Sequence, residues 1–123
     1  MDMKESFGEY VKRKRLAERI SLRELAGQLS LSPTYWSDIE NGRRSPPAKE
    51  KIDMLCVIFE LDDSGKYNLY DLATEEIKTT VVDLADYIKG PPIRKALRTA
   101  KKLNATERDW KEFEEKLINR GDK

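Results

Sequence analysis

The sequence predicts an all-α protein, and three observations carry that prediction. Apolar residues recur at helical spacing along almost the whole chain. Ser and Thr residues able to cap helices stand just ahead of those stretches, and Gly or Pro punctuates their ends. The 123 residues suffice for one modest core with a short appendage. With hydrophobic and charged residues each at 38%, the chain reads as a folded protein with a heavily charged surface.

The first helix runs from about Ser6 to Glu18, with Phe7, Tyr10 and Val11 on one face. Ser21 opens the second, where Ser21 and Glu24 have the spacing of a capping box that satisfies both free amides. Leu22, Leu25, Ala26 and Leu29 form its inward stripe. Ser32 caps the third helix, Pro33 takes a first-turn position where a missing N–H costs nothing, and Asn41-Gly42 ends it. Only Ser30 and Leu31 connect helices two and three, which is helix-turn-helix geometry. Arg43 to Pro47 is a rigid basic loop. A fourth helix from Ala48 to Phe59 turns Ile52, Leu55, Cys56 and Phe59 inward, and a fifth from Ser64 to Glu76 does so with Leu69, Leu72 and Ala73. Residues 6–76 thus make one domain, and residues 77–120 a helical C-terminal extension. In the extension, Lys78 to Val81 reads as an extended linker, and Asp83–Lys89 as a short helix stopped by Gly90-Pro91-Pro92. Ile93–Leu103 is a further helix, with Ile93, Ala96, Leu97 and Ala100 in register. Thr106 caps the last, with Asp109 completing the box and Trp110, Phe113 and Leu117 as its stripe. Gly121–Lys123 is expected to fray.

Charge is balanced in sum and segregated in place. The 24 Lys and Arg against 23 Asp and Glu leave +1, but Met1–Lys49 carries +3, Asp62–Lys89 −4 and Gly90–Lys123 +4. There is one cysteine, Cys56, and no histidine. A lone Cys closes no intramolecular disulfide and builds no zinc site, so no metal or other cofactor is expected. Cys56 is best read as a small core residue. No carboxylate pair, nucleophile–base couple or phosphate-cradling Gly loop has the spacing of an active site, so no enzymatic activity is expected. Neither a signal peptide nor a membrane-length apolar run is visible, which makes the cytoplasm the expected compartment.

The runs Ile20-Ser21-Leu22-Arg23-Glu24-Leu25-Ala26 and Leu31-Ser32-Pro33-Thr34-Tyr35-Trp36-Ser37-Asp38-Ile39-Glu40-Asn41-Gly42-Arg43-Arg44, followed by Pro46-Pro47, resemble the Xre-type, lambda-repressor-like helix-turn-helix family over about Phe7 to Ala73. The resemblance implies a five-helix DNA-binding domain that acts as a dimer on operator sites, with helix three as recognition helix. The residues support the same mechanism. If Trp36 and Ile39 face the core, then Pro33, Thr34, Ser37 and Asp38 turn outward toward base edges, where an Asp accepts from the cytosine amino group. Arg23, Ser32, Tyr35, Asn41, Arg43 and Arg44 are the expected phosphate contacts. Two arginines beside a rigid proline pair exceed what the C-terminal helix dipole needs. The run Lys12-Arg13-Lys14 reads more simply as a solvated face. Arg15 and Glu40 fall on the inward faces of helices one and three, and opposite charges there call for each other; the resemblance implies the same structural salt bridge. Many family members carry Gln where Leu22 stands, and a leucine makes no phosphate contact. With no Arg, Lys, Gln or Asn in helix three before Asn41, bidentate reading of guanine or adenine is not expected from that helix alone.

The expected function is therefore that of a sequence-specific transcriptional regulator, a repressor that binds a palindromic operator as a homodimer, with double-stranded DNA as partner. Two alternatives remain open from the sequence. One is an antitoxin-type autoregulator that binds a toxin through its C-terminal helices. The other is an interaction adaptor with a degenerate helix-turn-helix, to which the near-zero net charge and Asp38 are compatible. Arg94, Lys95, Arg98, Lys101 and Lys102 make the outer face of Ile93–Leu103 basic, a solvated face in the plainest reading. Trp110, Phe113 and Leu117 are too large and apolar to stand uncovered, so they either fold back as core or form a contact with another chain; because the helix-turn-helix core is complete by Phe59 to Ala73, the segment is assigned to dimerisation or to a protein partner.

Overall fold

The computed structural model describes residues 5–77 and 81–121. Every regular element among them is helical: α1 Phe7–Ala17, α2 Leu22–Gln28, α3 Pro33–Glu40, α4 Lys49–Ile58, α5 Asp63–Ile77, α6 Pro91–Lys102 and α7 Glu107–Gly121, with a 3-10 turn at Tyr87–Lys89. The chain divides into two units, Met1–Ala85 and Asp86–Lys123.

In the first unit the apolar stripes of five helices converge. Phe7, Val11, Leu25, Leu29, Trp36, Ile39, Ile52, Leu55 and Leu69 are its largest fully buried side chains. α2 packs on α3, α1 on both α3 and α5, and α4 on α5. Trp36 is completely buried, and its indole N–H finds no acceptor among the described residues, a cost accepted for a large apolar anchor under α3. Cys56 is a buried free thiol within the stripe of α4, and burial raises its pKa. The α4–α5 contact is tied by Asp53, which accepts from the Tyr70 hydroxyl and, at 3.0 Å, from Lys49 Nζ. Burial acts against the Asp53 charge, but these two donors outweigh it and hold the carboxyl below its ordinary pKa. Glu76 of α5 accepts from the free amide of Phe7 at 3.0 Å and so joins the first turn of α1 to the end of α5.

Several local expectations need correction. Ser21 accepts from the Glu24 amide, but the reciprocal half of that box is not formed; the complete box sits at Ser6 and Glu9, where each side chain meets the other's backbone N–H. Asp83–Lys89 is not an α-helix. It is a run of turns ending in the 3-10 turn, because no side chain caps Tyr87 and the segment is too short to repay helix nucleation. Gly90-Pro91-Pro92, read as a stop, is in fact a start: Gly90 is the N-cap of α6, and both prolines occupy first-turn positions that need no N–H. Of the expected linker, residues 78–80 lie outside the described residues, as do residues 122–123 of the expected frayed end, while Gly121 closes α7. Val82, just past the linker, is buried with the core, and its amide donates to Thr74 Oγ1 at 3.0 Å.

The second unit is a helical pair without a buried residue in either helix. Thr106 and Asp109 form the expected reciprocal cap on α7. Tyr87, Ile93, Ala96 and Leu97 line a groove of about 400 Å³ together with Trp110, Phe113 and Leu117, and Trp110 meets Phe113 edge to face with centroids 6.2 Å apart.

Candidate nucleic-acid interface

The tight connection between α2 and α3 depends on one backbone reversal. Ser30 adopts φ 57°, its amide returns to Gly27 and the Leu31 amide to Ala26, so the chain leaves α2 and re-enters a helix within a few residues. Ser32 Oγ then accepts from the Tyr35 amide, which starts α3 and uses the oxygen but not the hydroxyl proton. At the far end Gly42 takes φ 76° and closes α3 by the same backbone pattern, which turns Arg43 and Arg44 back toward the helix.

Two contacts hold α3 in place from α1. The Arg15 guanidinium grips the Glu40 carboxylate in a fork, Nε to Oε2 at 2.8 Å and Nη2 to Oε1 at 3.0 Å, and Nη1 donates to the Ile20 carbonyl at 3.0 Å. Both side chains are buried, so each needs the other. Beside them Gly8 is buried at a point where α1 touches the last turn of α3 backbone to backbone.

With Trp36, Ile39 and Glu40 buried, α3 turns a polar face outward. Pro33 and Thr34 are exposed, and Ser37 and Asp38 are half-buried on that face. Tyr35, Asp38, Arg43 and Arg44 form one cluster. Asp38 Oδ1 lies 3.5 Å from Arg43 Nη1 and its Oδ2 lies 3.7 Å from Arg44 Nε, while the Arg44 guanidinium stands 4.7 Å from the centre of the Tyr35 ring. Asn41 is engaged locally, donating to the Ser37 carbonyl at 2.9 Å and to Ser37 Oγ at 3.3 Å. Arg23 is exposed in the first turn of α2 and takes no part in the cluster. The tie from Asp38 to both arginines is the feature that sequence reasoning missed. Its only signal was an acid five and six residues before an Arg-Arg pair across an Asn-Gly helix end. Leu22, half-buried, packs against the core. Arg13 of the basic run in α1 is paired with Glu5 and lies against Tyr10. Among the described residues no group of acidic and Cys side chains could hold a metal ion, and no helix is long and apolar enough to cross a membrane.

An exposed polar helix, delivered by a tight turn from a supporting helix and flanked by a basic loop, is the arrangement of a helix-turn-helix domain, and residues 6–65 match the family model of that description. Over these residues the chain is similar to helix-turn-helix domains of the Xre type. An uncharacterized HTH-type transcriptional regulator of Archaeoglobus fulgidus is 32% identical over 90 residues, covering 71% of this chain. The chain spans 39% of that relative's length. Among solved structures, a chain of a SinR protein/SinI protein complex is similar at 19% identity and a TM-score of 0.45, with 95% of this chain and 99% of that chain covered.

Proposed function

We propose that this protein is a DNA-binding transcription regulator that places α3 in the major groove of a specific site. The observation that carries the reading is the outward face of α3, where exposed Thr34 and half-buried Ser37 and Asp38 lie opposite buried Trp36 and Ile39 and run into the exposed arginines of the following loop. Pro33, Thr34, Ser37 and Asp38 are the base-reading positions, and Arg23, Ser32, Tyr35, Asn41, Arg43 and Arg44 hold the phosphates. The Arg15–Glu40 pair sets the angle of α3. The domain's similarity to an HTH-type transcriptional regulator of Archaeoglobus fulgidus supports the same reading.

The finer reading is a homodimer on a palindromic operator, with recognition helices about one DNA turn, ~34–36 Å, apart. Occupying such a site excludes other proteins from it, so repression is the simplest outcome. The uncovered apolar groove of α6 and α7 supports dimerisation, and it is also the surface on which an antitoxin-type partner would dock. Selection of bound duplexes from a random pool tests the proposal on the wild type and on the Arg43→Ala, Arg44→Ala variant. An enriched palindrome that the variant no longer retains is the expected result. A folded wild type that enriches nothing at low salt would instead leave an interaction adaptor.

A further inference from the structure

In the free molecule Asp38 is the shared counter-charge of Arg43 and Arg44, at 3.5 and 3.7 Å. Both pairs are long, and the arginine side chains are 71% and 55% exposed, so the ties are weak and exchangeable. A DNA phosphate is the stronger partner for each guanidinium, because it offers short, charge-assisted and bidentate bonds. That exchange has a consequence for Asp38. An ionised carboxylate only accepts hydrogen bonds. Once its arginines turn to the backbone, it stands in a groove of like-charged phosphates and acceptor edges such as guanine O6 and N7 or thymine O4. Only the amino groups of cytosine and adenine present donors there.

We infer that Asp38 is a specificity-determining residue that works by exclusion: binding DNA strips it of Arg43 and Arg44, and only a base amino group at its position replaces them. The inference rests on the DNA-binding reading and adds a division of labour to it. Arg43 and Arg44 supply affinity for any duplex, and Asp38 withholds that affinity from duplexes without the right base. It also gives a chain of net charge +1 a way to use its arginines without binding DNA indiscriminately.

Asp38→Asn tests this in the full-length protein, since the amide keeps the shape but removes the charge and both donates and accepts. Binding to a random-sequence duplex and to the wild-type selected site is measured at one salt concentration, after circular dichroism has shown both proteins equally helical. The variant is expected to bind the random duplex roughly tenfold more tightly and to gain little on the selected site, so the ratio between the two falls by about that factor. Its own selected consensus should lose preference at one base pair per half-site. A variant that binds random duplex no better than wild type, or that keeps the full consensus, overturns the inference. If only the variant binds DNA, Asp38 blocks binding outright in the wild type, and its role in specificity is overturned. If neither folded protein binds DNA at low salt, the DNA-binding reading falls and takes this inference with it.

Discussion

A Cβ placed on Gly8 would lie 2.5 Å from the carbonyl oxygens of both Ile39 and Glu40, closer than any real contact and against backbone that cannot swing aside. Glycine is therefore required there for its missing side chain, and it lets α1 approach the end of α3 closely enough for Arg15 to reach Glu40. Gly8→Ala is expected to destabilise the protein by about 1–3 kcal/mol through overpacking. Arg15→Ala should cost more, about 3–5 kcal/mol, because it leaves the buried Glu40 carboxylate without its partner. Urea denaturation checks both, and unchanged midpoints would refute this account of how α3 is held. Either variant should lose stability before it changes base preference, since neither residue faces the groove and both act only through the placement of α3. The two contacts differ in how far they could be read in advance. Arg15 and Glu40 occupy inward positions of their helices, so the mismatch of charge and face was visible in the spacing. Gly8 was not, because a glycine inside a helix looks only like a poor helix former, and what it touches lies about thirty residues away.

Five helices end in one and the same backbone device. After α1, α2, α3, α4 and α6 a residue at positive φ — Arg19, Ser30, Gly42, Glu60 or Asn104 — is followed by an amide that returns five residues, to Arg15, Ala26, Asp38, Cys56 or Ala100. Only one of the five is glycine, which is why Asn41-Gly42 could be read as a helix end while the others had to be inferred from where the apolar period broke. A subtler signal was available: Ile20, Leu31 and Leu61, each just past the reversal, are apolar and pack against the core. The Gly90-Pro91-Pro92 run went the other way, since prolines punctuate both ends of helices and only the following stripe says which. The device also makes a prediction. Glu60 is exposed and held at φ 50°, where a Cβ is penalised and a hydrogen is not. Glu60→Gly should raise stability by about 0.5–1 kcal/mol, the relief of left-handed strain less the entropy that glycine forfeits. A thermal melt that falls instead would mean that the Glu60 side chain contributes more than its backbone costs.

At the scale of the whole molecule, the first unit satisfies itself and the second does not. The helix-turn-helix unit has a continuous core, which its helical periods foretold. In the second unit the same periods placed Ile93, Leu97, Trp110, Phe113 and Leu117 correctly on helices, but no periodicity says what covers a stripe. Leu103, Trp110, Phe113 and Ile118 remain 72%, 45%, 55% and 57% exposed, an apolar surface that a folded protein rarely leaves to water. The charges argue for a second copy as its cover. α6 carries Arg94, Lys95, Arg98, Lys101 and Lys102 with no acid, whereas α7 carries Glu107, Asp109, Glu112, Glu114 and Glu115 among its bases. Two such pairs closing groove to groove around a two-fold axis would repel if α6 met α6, and attract if each α6 met the other copy's α7. The wild type should therefore sediment as a dimer, and Phe113→Glu should sediment as a monomer while the first unit keeps its cooperative melt. On DNA that variant should still recognise a half-site, yet lose the advantage of a palindrome over a single half-site, because two recognition helices are then no longer joined. A wild type that stays monomeric at every concentration, or a dimer indifferent to Phe113→Glu, would remove the second copy from this groove and leave it to a different protein.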